Sequence, residues 1–165
     1  MEMPVFTIRG KNHRERGVDY GVQCKELIQG VLERYIRFFN GGHTAVSWDE
    51  AKVISKEFLP FIRSYSPELL DELEGIAQGA DVEFADLLTL NSRSEAMTLV
   101  RRPPSDKEEL DGCSSVAVLP DASANGHTIL AQNWDTYTWQ EYGTVILQIL
   151  RDDGPDLMIV TEAGQ

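Results

Sequence analysis

The hydrophobic rhythm of this 165-residue chain changes once, at Cys113, and that change limits the folds open to it. Up to residue 112, apolar residues recur at three- and four-residue steps, the spacing of amphipathic helices. From Cys113 onward they alternate, the spacing of strands. Helices in one run and strands in the next describe an α+β chain rather than a regular βαβ alternation. The expected organisation is a mainly helical N-terminal segment over residues 1–112 and the start of a β-strand segment over 113–165.

Val5 to Ile8 alternates weakly and reads as a short edge strand. His13 to Asn40 reads as one helix, with Ile28, Val31, Leu32, Tyr35, Ile36 and Phe39 on its apolar face, stopped by Asn40-Gly41-Gly42. Ser47-Trp48-Asp49-Glu50 is a capping box, so a second helix starts there. Its inner face is Ala51, Ile54, Phe58, Phe61 and Ile62, and Pro60 should end or kink it. Ser66-Pro67-Glu68 opens a third helix, with Leu69, Leu70, Leu73, Ile76, Ala77 and Ala80 as its stripe. A fourth is expected from about Glu83 to Leu99, carrying Phe84, Leu87, Leu88 and Leu90. Arg101 to Asp111, with two prolines and dense charge, reads as an exposed linker. Strands are expected at Ser114–Leu119, Thr128–Trp134, Thr144–Leu150 and Leu157–Thr161, with a turn over Asp121–Gly126.

Acids outnumber bases 27 to 15, a formal charge of -12 that argues against nucleic acid or an anionic membrane as partner. Residues 1–112 hold 20 acids and 14 bases, whereas 113–165 hold 7 and 1. No apolar run approaches membrane-spanning length, and Met1 to Gly10 lacks a signal-peptide core. Cys24 and Cys113 make no disulfide framework. The expected setting is intracellular, cytoplasmic or peroxisomal. No Cys-x-x-Cys, histidine pair or glycine-rich loop with lysine is present, so neither a metal nor a cofactor is expected.

The stretch Asp111 to Thr136, DGCSSVAVLPDASANGHTILAQNWDT, holds the chemistry. A thiol begins one strand, and Asp135 closes the next, one hairpin away, a plausible nucleophile and carboxylate. The competing readings are a small buried hydrophobe for Cys113 and a turn residue for Asp135. Alternation would put Asn133 and Asp135 on one face of one strand, and Ser115 on the face of Cys113. Trp134, Tyr137 and Trp139 either line a pocket or belong to the core. His13, His43 and His127 stand in no motif with Cys113; a thiol hydrolase with His127 as base is the alternative chemistry.

DGCSSVAVLP, then AQNWD, then TEAG resemble the acyl-coenzyme A:6-aminopenicillanic acid acyltransferase family of self-processing N-terminal-nucleophile hydrolases. The Gly-Cys, Asn-Trp-Asp and Thr-Glu-Ala-Gly motifs come in the family's order, and Asn91-Ser92-Arg93-Ser94-Glu95 resembles a signature upstream of the cut. The resemblance implies a four-layer αββα sandwich, of which this chain holds the helical segment and first strands. It implies a precursor that cuts itself between Gly112 and Cys113, and a catalytic Cys113 assisted by Asp135. Asn133 and Ser115 would support the site, and Arg93 and Glu95 the precursor loop.

On that expectation the chain is an enzyme that forms an acyl-thioester on Cys113 and passes the acyl group to an amine or water. An acyl-coenzyme A is the candidate co-substrate, or else a small N-acyl amide. The N-terminal segment would stay paired with its own C-terminal segment after processing. The family's oxyanion-stabilising asparagine is expected beyond Gln165, so the chain reads as a fragment of the enzyme. The other reading is an inactive relative serving as an interaction module.

Overall fold

The computed structural model describes residues 3–99, 113–152 and 154–165. The linker expected at 101–111 and the glycine of the expected cut, Gly112, lie outside them. The elements run β1 (Val5–Ile8), α1 (His13–Gln23), α2 (Lys25–Phe38), a π-helical turn (Phe39–His43), α3 (Trp48–Lys56), α4 (Leu59–Tyr65), α5 (Pro67–Ala80), α6 (Phe84–Asn91) and α7 (Arg93–Leu99). After these come β2 (Ser115–Val118), β3 (Ile129–Gln132), β4 (Thr144–Ile149) and β5 (Leu157–Glu162), with short 3-10 turns at Pro120–Ala122 and Thr138–Gly143. The fold is α+β. Two compact units divide it: Met1–Arg102 with Trp139–Gln165, and Pro103–Thr138.

In the first unit, β1 pairs in parallel with β4, and β4 antiparallel with β5, giving the order β1-β4-β5. The weak alternation at Val5 thus does mark an edge strand. Val145 and Leu147 of β4 bury themselves with Ile28, Val31 and Tyr35 of α2 and Leu87 and Leu90 of α6. The capping box forms as read: Glu50 N–H donates to Ser47 Oγ, and Ser47 N–H to Glu50 Oε2 at 2.8 Å.

Three of the four expected helices are broken or shortened. The first divides at Cys24, whose φ of -106° and ψ of 13° leave the helical region. The second stops at Lys56, and Pro60 falls in the first turn of α4, where its missing N–H is no loss. The interruption shifts the helical phase, so Phe61 lies 73% exposed rather than inside. The fourth divides at Ser92, whose hydroxyl donates to the Leu88 carbonyl at 2.7 Å and meets the Ser55 hydroxyl at 2.8 Å. Such side-chain back-bonding competes with the helix ladder and bends it.

One packing device was not legible in the apolar stripes. Gly17 and Gly21 of α1 face Gly75 and Gly79 of α5, and the two backbones touch there. A Cβ on Gly75 would strike the Arg14 carbonyl and lie 2.9 Å from Val18 N; one on Gly21 would strike the Ile76 carbonyl. Small residues four apart let helix axes approach more closely than side chains allow.

In the second unit, β2 and β3 form an antiparallel hairpin, with Ser115 opposite Gln132 and Val118 opposite Ile129. The strands are shorter than the expected Ser114–Leu119 and Thr128–Trp134, and they expose Val116 and Leu130.

Candidate active site

Antiparallel pairing carries the two ends of the hairpin to one place. Cys113 and Ser114 precede β2; Asn133, Trp134 and Asp135 follow β3. Asn133 N–H donates to the Ser114 carbonyl at 3.0 Å, and Ser114 N–H donates to Asn133 Oδ1 at 2.6 Å. Asn133 Nδ2 donates to Asp135 Oδ2 at 2.9 Å. β3 ends at Gln132, so Asn133 and Asp135 are not residues of that strand as expected, yet their side chains meet. Asn133 grips the residue before β2, Ser114, with one end of its amide and steers the Asp135 carboxylate with the other.

The Cys113 thiol lies 4.0 Å from the Asp135 backbone carbonyl, at the outer limit of a sulfur hydrogen bond. Cys113 is exposed, whereas Cys24 is buried. The small-hydrophobe reading therefore fits Cys24 instead. Burial, with Asp19 adding to it, pushes the Cys24 thiol up to about 12, which keeps it a neutral thiol. Ser115 is exposed at the first position of β2. The ladder places His127 at the turn end of the hairpin, seven residues along from the position level with Cys113, roughly 20 Å of extended chain. That separation disfavours His127 as a base for the thiol.

Arg93 and Glu95 part company. Glu95 is exposed on α7, while Arg93 turns inward, its NH2 3.5 Å from the fully buried Glu162 carboxylate. Tyr35 donates its hydroxyl to Glu162 Oε2 at 2.8 Å and accepts from Arg93 Nε at 2.8 Å and from Gln140 Nε2. Burial first, and the Glu162 carboxylate beside it, hold the Tyr35 hydroxyl above its ordinary range, with Arg93 opposing. Gln165 Nε2 also donates to Glu162 Oε2, at 2.7 Å, while Oε1 has no hydrogen-bond partner among the described residues.

The neighbouring turn is pinned as well. Gly164, at φ +98°, donates its N–H to Tyr20 Oη at 2.8 Å, and its carbonyl accepts from Asn91 Nδ2 at 2.7 Å. Thus Asn91 and Arg93 clasp the turn from Glu162 to Gly164 within the first unit. Tyr35, Gln140 and Glu162 went unnoticed as site residues in the sequence. Tyr35 looks like one more member of the apolar stripe, and the signals for Glu162 are its place in the Thr-Glu-Ala-Gly motif and a charge closing an apolar strand.

Trp134 and Tyr137 belong to the second unit and Trp139 to the first. Trp134 and Tyr137 are exposed, and Trp139 packs edge-on against Tyr35 with centroids 4.9 Å apart. Among the described residues, no group of three or more His, Cys, Asp and Glu could hold a metal ion, and no helix is long and apolar enough to cross a membrane.

No family model matches the chain. It is 30% identical over 151 residues to the acyl-coenzyme A:6-aminopenicillanic-acid-acyltransferase 40 kDa form of Emericella nidulans, covering 88% of this chain and 39% of that protein. It is 28% identical over 158 residues to the beta-alanyl-dopamine/carcinine hydrolase of Drosophila melanogaster, covering 91% of this chain and 38% of the other. The chain thus spans less than two fifths of the length of either relative. One relative is named as an acyltransferase and the other as a hydrolase. Over the shared stretch this chain is a homologue of both, in keeping with the resemblance that its Gly-Cys, Asn-Trp-Asp and Thr-Glu-Ala-Gly motifs carry.

Proposed function

We propose that the chain carries the thiol nucleophile of a self-processing cysteine amidohydrolase or acyltransferase, with Cys113 as that nucleophile. The observation behind this reading is the exposed Cys113 thiol at the hairpin base, beside the Asp135 backbone and the Asn133–Asp135 hydrogen bond. In processing, the Cys113 sulfur attacks the Gly112 carbonyl. Its proton passes to the departing amide nitrogen, and a thioester replaces the peptide bond. Water then opens the thioester, leaving a Gly112 carboxylate and a free α-amine on Cys113. An α-amine has an ordinary pKa of about 7.7 to 8.0, so near neutrality it can take the proton of its own thiol.

In turnover, the freed thiol attacks the carbonyl of an acyl-coenzyme A or N-acyl amide and expels the thiol or amine. An amine of the 6-aminopenicillanic acid kind, or water, then collects the acyl group. Asp135, steered by Asn133, is assigned to assist the nucleophile, with Ser115 supporting the same strand end. The helical segment 1–112 would remain packed with 113–165 after the cut, within the four-layer sandwich.

Intact-mass spectrometry tests this on the longest natural form. Two fragments meeting at Gly112/Cys113, replaced by one uncut chain in Cys113→Ala, are expected. An uncut natural form that takes up no acyl group from an acyl-coenzyme A or an N-acyl amide would leave a non-catalytic interaction module instead.

A further inference from the structure

A second feature of the first unit gathers cations and rings in a chain that is otherwise strongly acidic. Arg34, Arg37, Phe38, His43 and Trp139 surround an open cleft of about 240 Å³. Phe38 and His43 lie nearly parallel, 14° apart with centroids at 5.3 Å, and Phe38 leans on Trp139 at 5.6 Å. Gly42 at φ +79° turns the chain so that His43 folds back onto Phe38. The Arg34 guanidinium stacks on Tyr142 at 3.6 Å, and one of its N–H groups donates to the Gly30 carbonyl at 3.1 Å. Arg37 meets Glu33, one turn back on the same helix, at 3.7 Å, with both side chains about 70% exposed. Such a pair is worth little and is readily exchanged.

We propose that this cleft holds the nucleotide end of a coenzyme A thioester. A carboxylate or free phosphate would use the arginines and leave the rings idle; an uncharged ring would do the reverse. A purine carrying phosphates uses both, stacking on Phe38, His43 and Trp139 while Arg34 and Arg37 take phosphate oxygens. The size agrees. Whole-ligand pockets run from about 300 Å³ upward, so this one admits the ring end of a long ligand and leaves the remainder outside. The inference rests on the reading that the acyl donor is an acyl-coenzyme A, and it names residues of the first unit that grip that donor's nucleotide end.

The probe is desulfo-coenzyme A, which has no thiol to exchange at Cys113, titrated into the full chain by calorimetry. Saturable binding is expected, weakened about tenfold or more in Arg37→Glu, the scale of one charge-assisted hydrogen bond. It should also weaken in His43→Ala and with rising salt. Both positions are exposed, and circular dichroism checks that the variants fold. Equal affinity for inorganic pyrophosphate, affinity unchanged in both variants, or no saturable binding would each overturn the assignment. If the Gly112/Cys113 cut and Cys113 acylation by an N-acyl amide persist while desulfo-coenzyme A fails to bind, this inference falls and the nucleophile reading stands.

Discussion

Arg93 and Glu162 stand 69 residues apart in the chain and 3.5 Å apart in the interior, where Glu162 is fully buried. The strand end bearing Glu162 is thereby tied to the first residue of α7, with Tyr35 hydrogen-bonded to both partners. Removing one member of a buried ion pair strands the other, which typically costs about 3–5 kcal/mol. Arg93→Ala should lower the melting temperature by roughly 10 °C. Replacing the pair by apolar residues, Arg93→Met with Glu162→Leu, should recover part of that loss. A single variant that melts within about 2 °C of the parent would show that the pair contributes little.

The glycine contact between α1 and α5 makes a sharper packing prediction. In Gly75→Ala the new methyl meets the Arg14 carbonyl and Val18 N, both backbone atoms that cannot rotate away. Overpacking of this kind costs about 1–3 kcal/mol, offset only slightly by alanine's better helix propensity. Thermal denaturation should fall by several degrees. In Gly41→Ala, where the nearest atoms belong to the His43 ring at 3.3 Å, the change should be smaller.

The two cysteines should separate cleanly by reactivity. At pH 8 an alkylating reagent should modify Cys113 and spare Cys24, whose thiol is buried and pushed up to about 12. Denaturation should expose the second. Mass spectrometry of the labelled peptides reads both, and rapid labelling of Cys24 in the native chain would contradict its burial.

Alkaline unfolding follows from the same shift. The Cys24 thiol moves from an ordinary value near 9 to about 12, and burial also raises Tyr20 and Tyr35. Folded-state values above the unfolded ones stabilise the fold fully below the unfolded values. That stability is lost as pH rises from about 9 toward 12, at up to about 1.4 kcal/mol per pH unit for each group. Urea midpoints should therefore hold steady through neutrality and drop above pH 9. Cys24→Ala should flatten the first part of the drop.

Asn133 tests the hairpin base. It is exposed, so Asn133→Ala should alter the melting temperature by no more than a degree or two. With its amide gone, Ser114 N–H and the Asp135 carboxylate lose their shared partner. Cleavage at Gly112/Cys113, followed by mass over time, should slow about tenfold or more, since misplacing a reacting group by an ångström can cost far more than that. Unchanged cleavage would remove Asn133 from the site.

By itself the sequence determined the kinds of elements and their order. The Ser47–Glu50 capping box and the alternation from Val145 to Leu147 depend on neighbours a few residues away, and such patterns survive in any tertiary setting. It also determined which thiol was worth watching, because a two-strand hairpin between Cys113 and Asp135 must return one to the other. Tertiary structure decided where long helical stripes break. At Cys24 the backbone leaves the helical region inside the core, and at Ser92 the hydroxyl bonds both the Leu88 carbonyl and the distant Ser55, neither of which the apolar period shows. It decided that Arg93 turns to Glu162 and not to Glu95, since a charge buried by packing needs a partner that only folding delivers. And it decided that four small residues, silent in any hydrophobic count, would let α1 and α5 meet backbone to backbone.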